Sequence, residues 1–410
     1  MSKADRRTRS GAKGALLASS PKPVTDAGVA LVLQGGGALG AYQGGVYQQL
    51  ASAGYDPNWY AGVSIGAINA AILAGNPAET RLERLREFWR LITSSIDWPV
   101  YFWDNDFARE TYNRLSAATV VANGLPGFFQ PRMQSPYMHF PGSPGPTSFY
   151  DTAPWRATLE RLVYFDRINS GKVRLSLGAV NVQCGNYVFF DTTTHRIGPE
   201  HVMASGALPP SFPAVEIDNE PYWDGGLVSN TPLIQVLEQG CHEDMLIFEV
   251  DLFSATGSFP RDILEGEERG KDITFSSRTR ENTTNFRQKH ELRSAILKLY
   301  DRLPPAMQQD PEVQRLRTMG LDRSVSLVHL IYRSKNYETH EKDYEFSRRS
   351  MIDHWDAGVA DMTRTLAKPL WLDPAADGDK MRIFDLTRDE MATDDACSAA
   401  VRTSGSQSTP

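Results

Sequence analysis

Short apolar runs alternate with amphipathic segments along most of the chain. Residues 29–33 form a continuous apolar run, which predicts a buried strand. Further apolar stretches predict strands at residues 59–63, 173–182, 187–190, 245–252 and 325–332. Apolar residues at helical spacing predict helices at residues 41–52, 67–74, 80–94, 285–303 and 344–366. The chain therefore starts as strand, loop, helix, strand, turn, helix, an order that indicates an α/β fold.

Three stretches depart from this pattern. Residues 1–26 are basic and residues 393–410 are rich in Ser, Thr and Asp, so we expect two disordered tails, with an organelle presequence as the alternative for the first. Residues 97–154 are rich in proline, glycine and aromatic residues. They predict a long irregular insertion, which could be a lid or ordinary structural padding.

Composition narrows the classes of partner and compartment. The 410 residues carry a net charge of −7, which argues against a nucleic-acid partner. Three widely spaced cysteines, Cys184, Cys241 and Cys397, form neither a disulfide framework nor a metal pair, so we expect a reducing, cytoplasmic compartment. No apolar stretch is long enough to predict a membrane-spanning helix.

The predicted helix at residues 285–303 has an apolar stripe flanked by basic residues. The stripe consists of Leu292, Ile296, Leu299 and Leu303. We favour a surface helix packed on the core through this stripe. The alternative is an interfacial helix that makes peripheral contact with a membrane.

Candidate chemistry begins at the turn after the second predicted strand. Gly62, Ser64 and Gly66 form a G-x-S-x-G pattern, which is typical of a nucleophile elbow. Glycines flank the serine because backbone from both sides comes too close for side chains there. The same pattern also arises by chance in a glycine-rich chain, so its context decides.

A triple glycine, Gly35-Gly36-Gly37, follows the first predicted strand. Its backbone N–H groups could converge on the oxyanion of an acyl-transfer intermediate. The loop also matches a dinucleotide fingerprint that extends to Gly40, with Asp56 as the ribose-binding acid. On this loop alone, an oxidoreductase and a hydrolase are almost equally favoured.

A third motif, Asp224-Gly225-Gly226, could hold a carboxylate close to the serine as its base. Taken alone, Asp224-Gly225 is more typical of a hairpin turn. A dinucleotide enzyme leaves this turn and the Ser64 pattern unexplained, whereas a serine hydrolase uses all three motifs.

In this order, the three motifs resemble the patatin-like phospholipase family, over about residues 29–251. Residues 204–213 and 230–232 also look like that family's blocks before and after the aspartate turn. The resemblance implies a three-layer α/β/α fold with a mostly parallel central sheet and a C-terminal helical extension. It places a catalytic domain at residues 27–255 and a mostly helical extension, packed on the core, at residues 256–392.

The resemblance also implies roles for individual residues. Ser64 would be the nucleophile and Asp224 the base, without a catalytic histidine, metal or cofactor. Four residues would form the oxyanion hole: Gly35, Gly36, Gly37 and, through its N–H, Ile65. Four glycines would support the motifs: Gly62, Gly66, Gly225 and Gly226. The substrate would be a lipid or another acyl ester. Many family members have a basic residue where this chain has Leu39, which puts the head group in doubt.

Two alternatives stay open. The first is a Ser–Asp–His triad, because five histidines follow Asp224: His242, His290, His329, His340 and His354. We expect His329 to be a core residue, and His290, His340 and His354 to lie on the surface. The second is a catalytically silent lipid- or protein-binding scaffold with the same fold. The sequence leaves the oligomeric state unknown.

Overall fold

The computed structural model of the protein describes residues 28–95, 105–138, 147–239, 244–277, 279–320, 323–373 and 381–385. Both expected tails, and also Cys241, Cys397 and His242, lie outside these residues. Cys184 is exposed with a free thiol.

Strands and helices alternate through the described ranges. The strands are β1 Gly28–Leu33, β2 Trp59–Gly62, β3 Gln130–Pro131, β4 Tyr150–Asp151, β5 Arg174–Asn181, β6 Tyr187–Asp191, β7 Val215–Ile217, β8 Glu220–Asp224, β9 Met245–Asp251, β10 Val325–Ile331 and β11 Met381–Asp385. The helices are α1 Ala41–Ser52, α2 Ile65–Gly75, α3 Ala78–Ile92, α4 Asp106–Asn123, α5 Ala153–Leu162, α6 Phe165–Ile168, α7 Pro199–Ser205, α8 Leu233–Gln239, α9 Ile263–Phe275, α10 Thr279–Tyr300, α11 Pro305–Gln308, α12 Pro311–Met319 and α13 Arg348–Leu366.

One large sheet organises the described residues, with strand order β11-β10-β9-β1-β2-β5-β8-β7 and β6 paired with β5. The strands from β11 to β5 in this order run parallel. β6, β7 and β8 form the antiparallel pairs of this sheet. The predicted α/β fold with a mostly parallel central sheet is confirmed, and β5 and β6 form an antiparallel pair.

The alternation of side chains along β1 shows how the sheet separates two layers of helices. Leu31 and Leu33 belong to the larger apolar cluster, which includes residues of α1, α2 and α3. Ala30 and Val32 point into a smaller cluster, which includes residues of α8. Because successive side chains of a strand face opposite sides, a strand buried on both faces reads as the continuous apolar run seen in the sequence.

The C-terminal part of the chain contributes strands as well as helices. β10 extends the sheet beside β9, and β11 extends it further. β11 was not among the predicted strands, because a five-residue segment with two charged residues carries little apolar signal. α13 packs on α1 so closely that a Cβ atom on Gly45 would lie 1.9 Å from the carbonyl oxygen of Trp355.

The prediction that residues 97–154 are irregular throughout is wrong, because α4 fills much of the stretch. Asn105 caps this helix by accepting a hydrogen bond from Ala108 N at 2.9 Å, and Gly124 ends it with φ +74°. The prolines and glycines that follow this helix hid the fact that its own 18 residues contain neither.

The predicted inner face of α10 is also wrong. The helix buries Phe286, His290 and Ser294, whereas Leu292 and Leu299 are 65% and 62% exposed. Phe286 packs with α8 residues, and this contact decides which face turns inward. No helix in the described ranges is long and apolar enough to cross a membrane.

Candidate active site

Ser64 lies on a strained turn between β2 and α2, with φ 57° and ψ −126°. A Cβ atom on Gly62 would lie 2.4 Å from the carbonyl oxygen of Gly66, and one on Gly66 would lie 2.2 Å from that of Leu33. Both contacts are with backbone, which cannot move aside. The glycine spacing in the sequence is therefore a requirement of this turn, as the elbow hypothesis expects.

Ser205, at the end of α7, holds the turn by hydrogen bonds. Ser64 N donates to the carbonyl oxygen of Ser205 at 3.0 Å and to its hydroxyl oxygen at 3.2 Å. The same hydroxyl donates to the carbonyl oxygen of Gly178 on β5, at 2.6 Å. Ser205 is fully buried, so it ties the elbow to the neighbouring strand.

The glycine loop runs beside the elbow. A Cβ atom on Gly35 would lie 2.9 Å from the Cβ atom of Ser64. Gly35 N donates to the carbonyl oxygen of Asn230 at 3.1 Å, and Asn230 Nδ2 donates back to the carbonyl oxygen of Gly35 at 2.9 Å. The Gly35 N–H group, which the sequence interpretation assigned to the oxyanion hole, is thus already engaged.

Three other N–H groups next to Ser64 are available. Among the described residues, the N–H groups of Gly36 and Gly37 meet no acceptor. Ile65 is the first residue of α2, where an N–H group has no partner within the helix. Gly37 has φ +54°, a backbone conformation that side-chain-bearing residues rarely adopt.

Asp224 ends β8 and is 1% exposed. Its Oδ1 atom accepts a hydrogen bond from Gly226 N at 2.7 Å, while Oδ2 accepts none within the described part of the chain. Burial raises the pKa of Asp224 to about 7, against the lowering effects of the Gly226 N–H group and the nearby Ser64 hydroxyl. A Cβ atom on Gly225 would lie 2.7 Å from the carbonyl oxygen of Gly178, so the turn also packs tightly on β5.

Ser64, Asp224 and the triple glycine open into one cavity of about 430 Å³. Its wall is largely apolar and aromatic, with Val120, Phe129 and Tyr150 from the 97–154 stretch and Phe212 and Phe253 from elsewhere. Asp343, Tyr344 and Phe346, far along the chain, line it as well. The cavity can hold an apolar chain next to a buried carboxylate and free N–H groups.

The described lining of this cavity contains no histidine. His329 is a buried core residue, as predicted. His290 and His354 are 3% and 2% exposed, so the prediction that they lie on the surface is wrong; charged neighbours in sequence disguised buried positions. His354 binds Glu338 at 2.6 Å, and His340 is only partly buried.

The fingerprint for a dinucleotide does not assemble. Gly35 follows the end of β1, whereas Asp56 precedes the start of β2. The two strands are parallel neighbours, with Leu33 beside Gly62 and Ala30 beside Trp59. Gly35 and Asp56 therefore lie at opposite ends of the strands. Asp56 instead forms an ion pair with Arg81.

One group of metal-ligand type occurs in the described residues, formed by Glu249, Asp251 and His329, whose ligand atoms lie within 4.8 Å of one another. Burial lowers the pKa of His329, but the two carboxylates outweigh it and raise that pKa to about 9. His329 Nε2 bonds to Asp251 at 2.7 Å. In this structure the three side chains therefore form a buried, charged hydrogen-bonded group.

Sequence reasoning missed the roles of Ser205, Asn230 and Asp343. Ser205 and Asn230 stand in the blocks that carry the resemblance, so the signal was present without a stated role. Asp343 lies about 300 residues after the glycine loop, and no local pattern connects the two.

Fold and site together define an α/β protein with a serine in a largely apolar cavity. The comparisons with known proteins agree with this class. A family model described as patatin-like phospholipase matches residues 31–237, half of the chain, and one described as patatin phospholipase matches residues 273–377. The chain belongs to the patatin-like phospholipase family, which at the family level supports a lipid acyl hydrolase.

The chain is similar to the crystal structure of VipD from Legionella pneumophila, at 14% identity and a TM-score of 0.32, covering 82% of this chain and 67% of that one. A likeness this low carries no argument about this site. No curated protein matches the chain.

Proposed function

We propose that this protein hydrolyses carboxylic esters of lipids, with Ser64 as the nucleophile and Asp224 as the base. One observation carries the proposal. The Asp224 carboxylate is buried beside Ser64, has one oxygen without a hydrogen bond in the described residues, and has a pKa of about 7. A carboxylate of that kind is suited to accept a proton near neutral pH.

In the first half of the reaction, Ser64 Oγ attacks the ester carbonyl carbon while Asp224 accepts the hydroxyl proton. The carbonyl π bond opens and leaves a negative charge on oxygen. Collapse of this intermediate breaks the bond to the alcohol, which takes the proton from Asp224. In the second half, water attacks the acyl-enzyme with the same base, releasing a fatty acid and restoring Ser64.

The developing charge would be held by the N–H groups of Gly36, Gly37 and Ile65, the last at the positive end of α2. Removing one such donor typically costs about 3–4 kcal/mol of transition-state stabilisation. The Gly35 N–H group donates to the carbonyl oxygen of Asn230, so it is not a donor of the oxyanion hole. The role of Gly35 is to let the loop pass close to Ser64.

The apolar wall of the cavity supports a substrate whose ester carries an apolar acyl chain. Val120, Phe129 and Tyr150 of the 97–154 stretch form part of this wall. Their position supports a role for the stretch in covering the acyl chain of the substrate. Val121 lines the cavity and is 53% exposed, so one apolar side chain of the wall also faces solvent. The proposal includes peripheral contact with a lipid surface at this point.

A fluorophosphonate probe, which labels activated serines, tests the proposal. We expect labelling of the wild type, none of Ser64→Ala, and slow labelling of Asp224→Asn, together with fatty-acid release from a panel of phospholipids, acylglycerols and thioesters. Labelling that survives Ser64→Ala overturns the assigned nucleophile. An unlabelled wild type that binds a nicotinamide cofactor favours the oxidoreductase, and one that binds none favours the silent scaffold.

A further inference from the structure

A segment of the C-terminal region, residues 338–346, lies against the proposed oxyanion loop. This segment lies between β10 and α13 in the chain. Asp343, Tyr344 and Phe346 line the same cavity as Ser64. Neither family match gives this segment a role, although one of them spans it.

The contact with the loop is made by backbone. Ala38 N donates to the carbonyl oxygen of Asp343 at 2.7 Å. A Cβ atom on Gly37 would lie 1.9 Å from this same oxygen. The bond fixes the peptide plane between Gly37 and Ala38. It therefore limits how the N–H group of Gly37, in the preceding peptide unit, can turn.

Lys271 of α9 holds Asp343 in this position. Lys271 Nζ bonds to Asp343 Oδ1 at 2.7 Å and donates to the carbonyl oxygen of His340 at 2.6 Å. It also lies over the ring of Tyr344, 5.1 Å from its centroid. One side chain thus reaches the backbone, an acidic group and an aromatic group of the same segment.

A second lysine fastens the segment to the same helix. Lys342 Nζ lies 2.8 Å from Glu268 and 2.7 Å from Asp272, both on α9. Its side chain is 1% exposed, so these charges are largely withdrawn from solvent. Lys342 and Asp343 are therefore both fixed to α9, the first by acidic groups and the second by a lysine. These ion pairs set the position of the segment along the loop.

We infer that Lys271 and Asp343 are positioning residues of the oxyanion loop, and that the C-terminal region completes the active site through them. This inference rests on the proposed function. Lys271 fixes the Asp343 side chain, the Asp343 carbonyl fixes the Gly37–Ala38 peptide, and that peptide orients the free N–H groups beside Ser64. Losing the ion pair should then weaken transition-state stabilisation more than substrate binding.

The test compares Lys271→Met, Lys271→Arg and Asp343→Asn with the wild type. The readouts are the fluorophosphonate labelling rate, kcat and KM for a p-nitrophenyl ester, and the melting temperature. We expect Lys271→Met and Asp343→Asn to lower kcat and the labelling rate about tenfold, with KM within about twofold, because loop donors act in the transition state. Lys271→Arg should restore most of the loss.

Lys289→Met is the matched control, since Lys289 of α10 forms an exposed ion pair, at 2.8 Å, with Glu238 of α8. It should leave both rates unchanged. If the wild type is active and Lys271→Met and Asp343→Asn match it in kcat, the inference falls while the proposed function stands. If Lys271→Met does not fold, an unaltered kcat in Asp343→Asn still overturns it. A wild type that neither labels nor turns over overturns both.

Discussion

Ser64 and Ser205 share two hydrogen bonds, both donated by the backbone N–H group of Ser64, at 3.0 Å to the Ser205 carbonyl oxygen and 3.2 Å to its hydroxyl. The nucleophile's backbone is therefore held from a helix about 140 residues away in sequence. Since Ser205 also donates to Gly178 on β5, hydrogen bonds join the elbow, α7 and the sheet into one unit.

Replacing Ser205 by alanine should loosen this unit. The variant keeps the carbonyl bond but leaves the buried Gly178 carbonyl without its donor, a loss of about 1–3 kcal/mol in the free energy of unfolding. We expect kcat to fall about tenfold as the elbow tilts. Ser52→Ala is the control, because its exposed hydroxyl bonds only to its own helix. A kcat equal to that of the wild type would contradict the assigned support.

The base should be seen in the pH dependence. Asp224 acts as a base only when ionised, and its pKa is raised to about 7. We therefore expect kcat/KM to rise with pH, about tenfold per unit well below pH 7, and to level off above it. Stopped assays of ester hydrolysis between pH 5 and 9 would measure this. A flat profile across this range would exclude Asp224 as the titrating base.

Asp224→Asn should separate activity from stability. General-base catalysis contributes about 10²–10⁴-fold, so the variant should lose activity by that factor. The folded-state pKa of Asp224 lies above its unfolded value, so the folded protein binds more protons and ionisation costs stability as pH rises from about 4 to 7. The variant should thus melt higher than the wild type at pH 8, with the difference shrinking at lower pH. Thermal melts of the variant and the wild type at pH 5 and pH 8 would test the sign of this difference in melting temperature.

Chain-length preference should respond to the cavity wall. Val121→Trp places a large ring at a lining position, so hydrolysis of a dodecanoyl ester should fall about tenfold relative to an acetyl ester. Leu115→Trp on the same helix is the control, because Leu115 is similarly exposed but does not line the cavity. Equal ratios for both variants would show that the acyl chain lies elsewhere.

The elbow glycines should tolerate no side chain. Gly66→Ala brings a Cβ atom to 2.2 Å from the Leu33 carbonyl oxygen, so we expect loss of about 3 kcal/mol or more in stability, with loss of labelling. Gly270→Ala in α9 meets nothing within 4 Å and should be neutral or slightly stabilising. Chemical denaturation of both variants provides the measurement. A Gly66→Ala protein as stable as the wild type would refute the tight turn.

The parts of the fold that depend on local pattern could be predicted from the sequence. β1 is a continuous apolar run, β9 is apolar apart from Glu249 and Asp251, and Gly62 and Gly66 are spaced by a local turn. α4 was missed because neighbouring prolines and glycines dominated its window, and β11 because it is short and charged. The Asp343 contact joins residues that no local rule relates. The engagement of the Gly35 N–H group by Asn230 likewise depends on tertiary packing.

The position of β1 limits how this chain can be shortened. β1 lies between β2 and β9, yet the larger family match, at residues 31–237, ends before β9. A fragment cut to those residues would leave β1 as an open edge, with the apolar Leu31, Val32 and Leu33 beside unpaired backbone groups. Such an edge is a site of aggregation. The segment by which the family is recognised is thus smaller than the segment that can fold, and an expressed fragment must retain β9 and the strands that cover it.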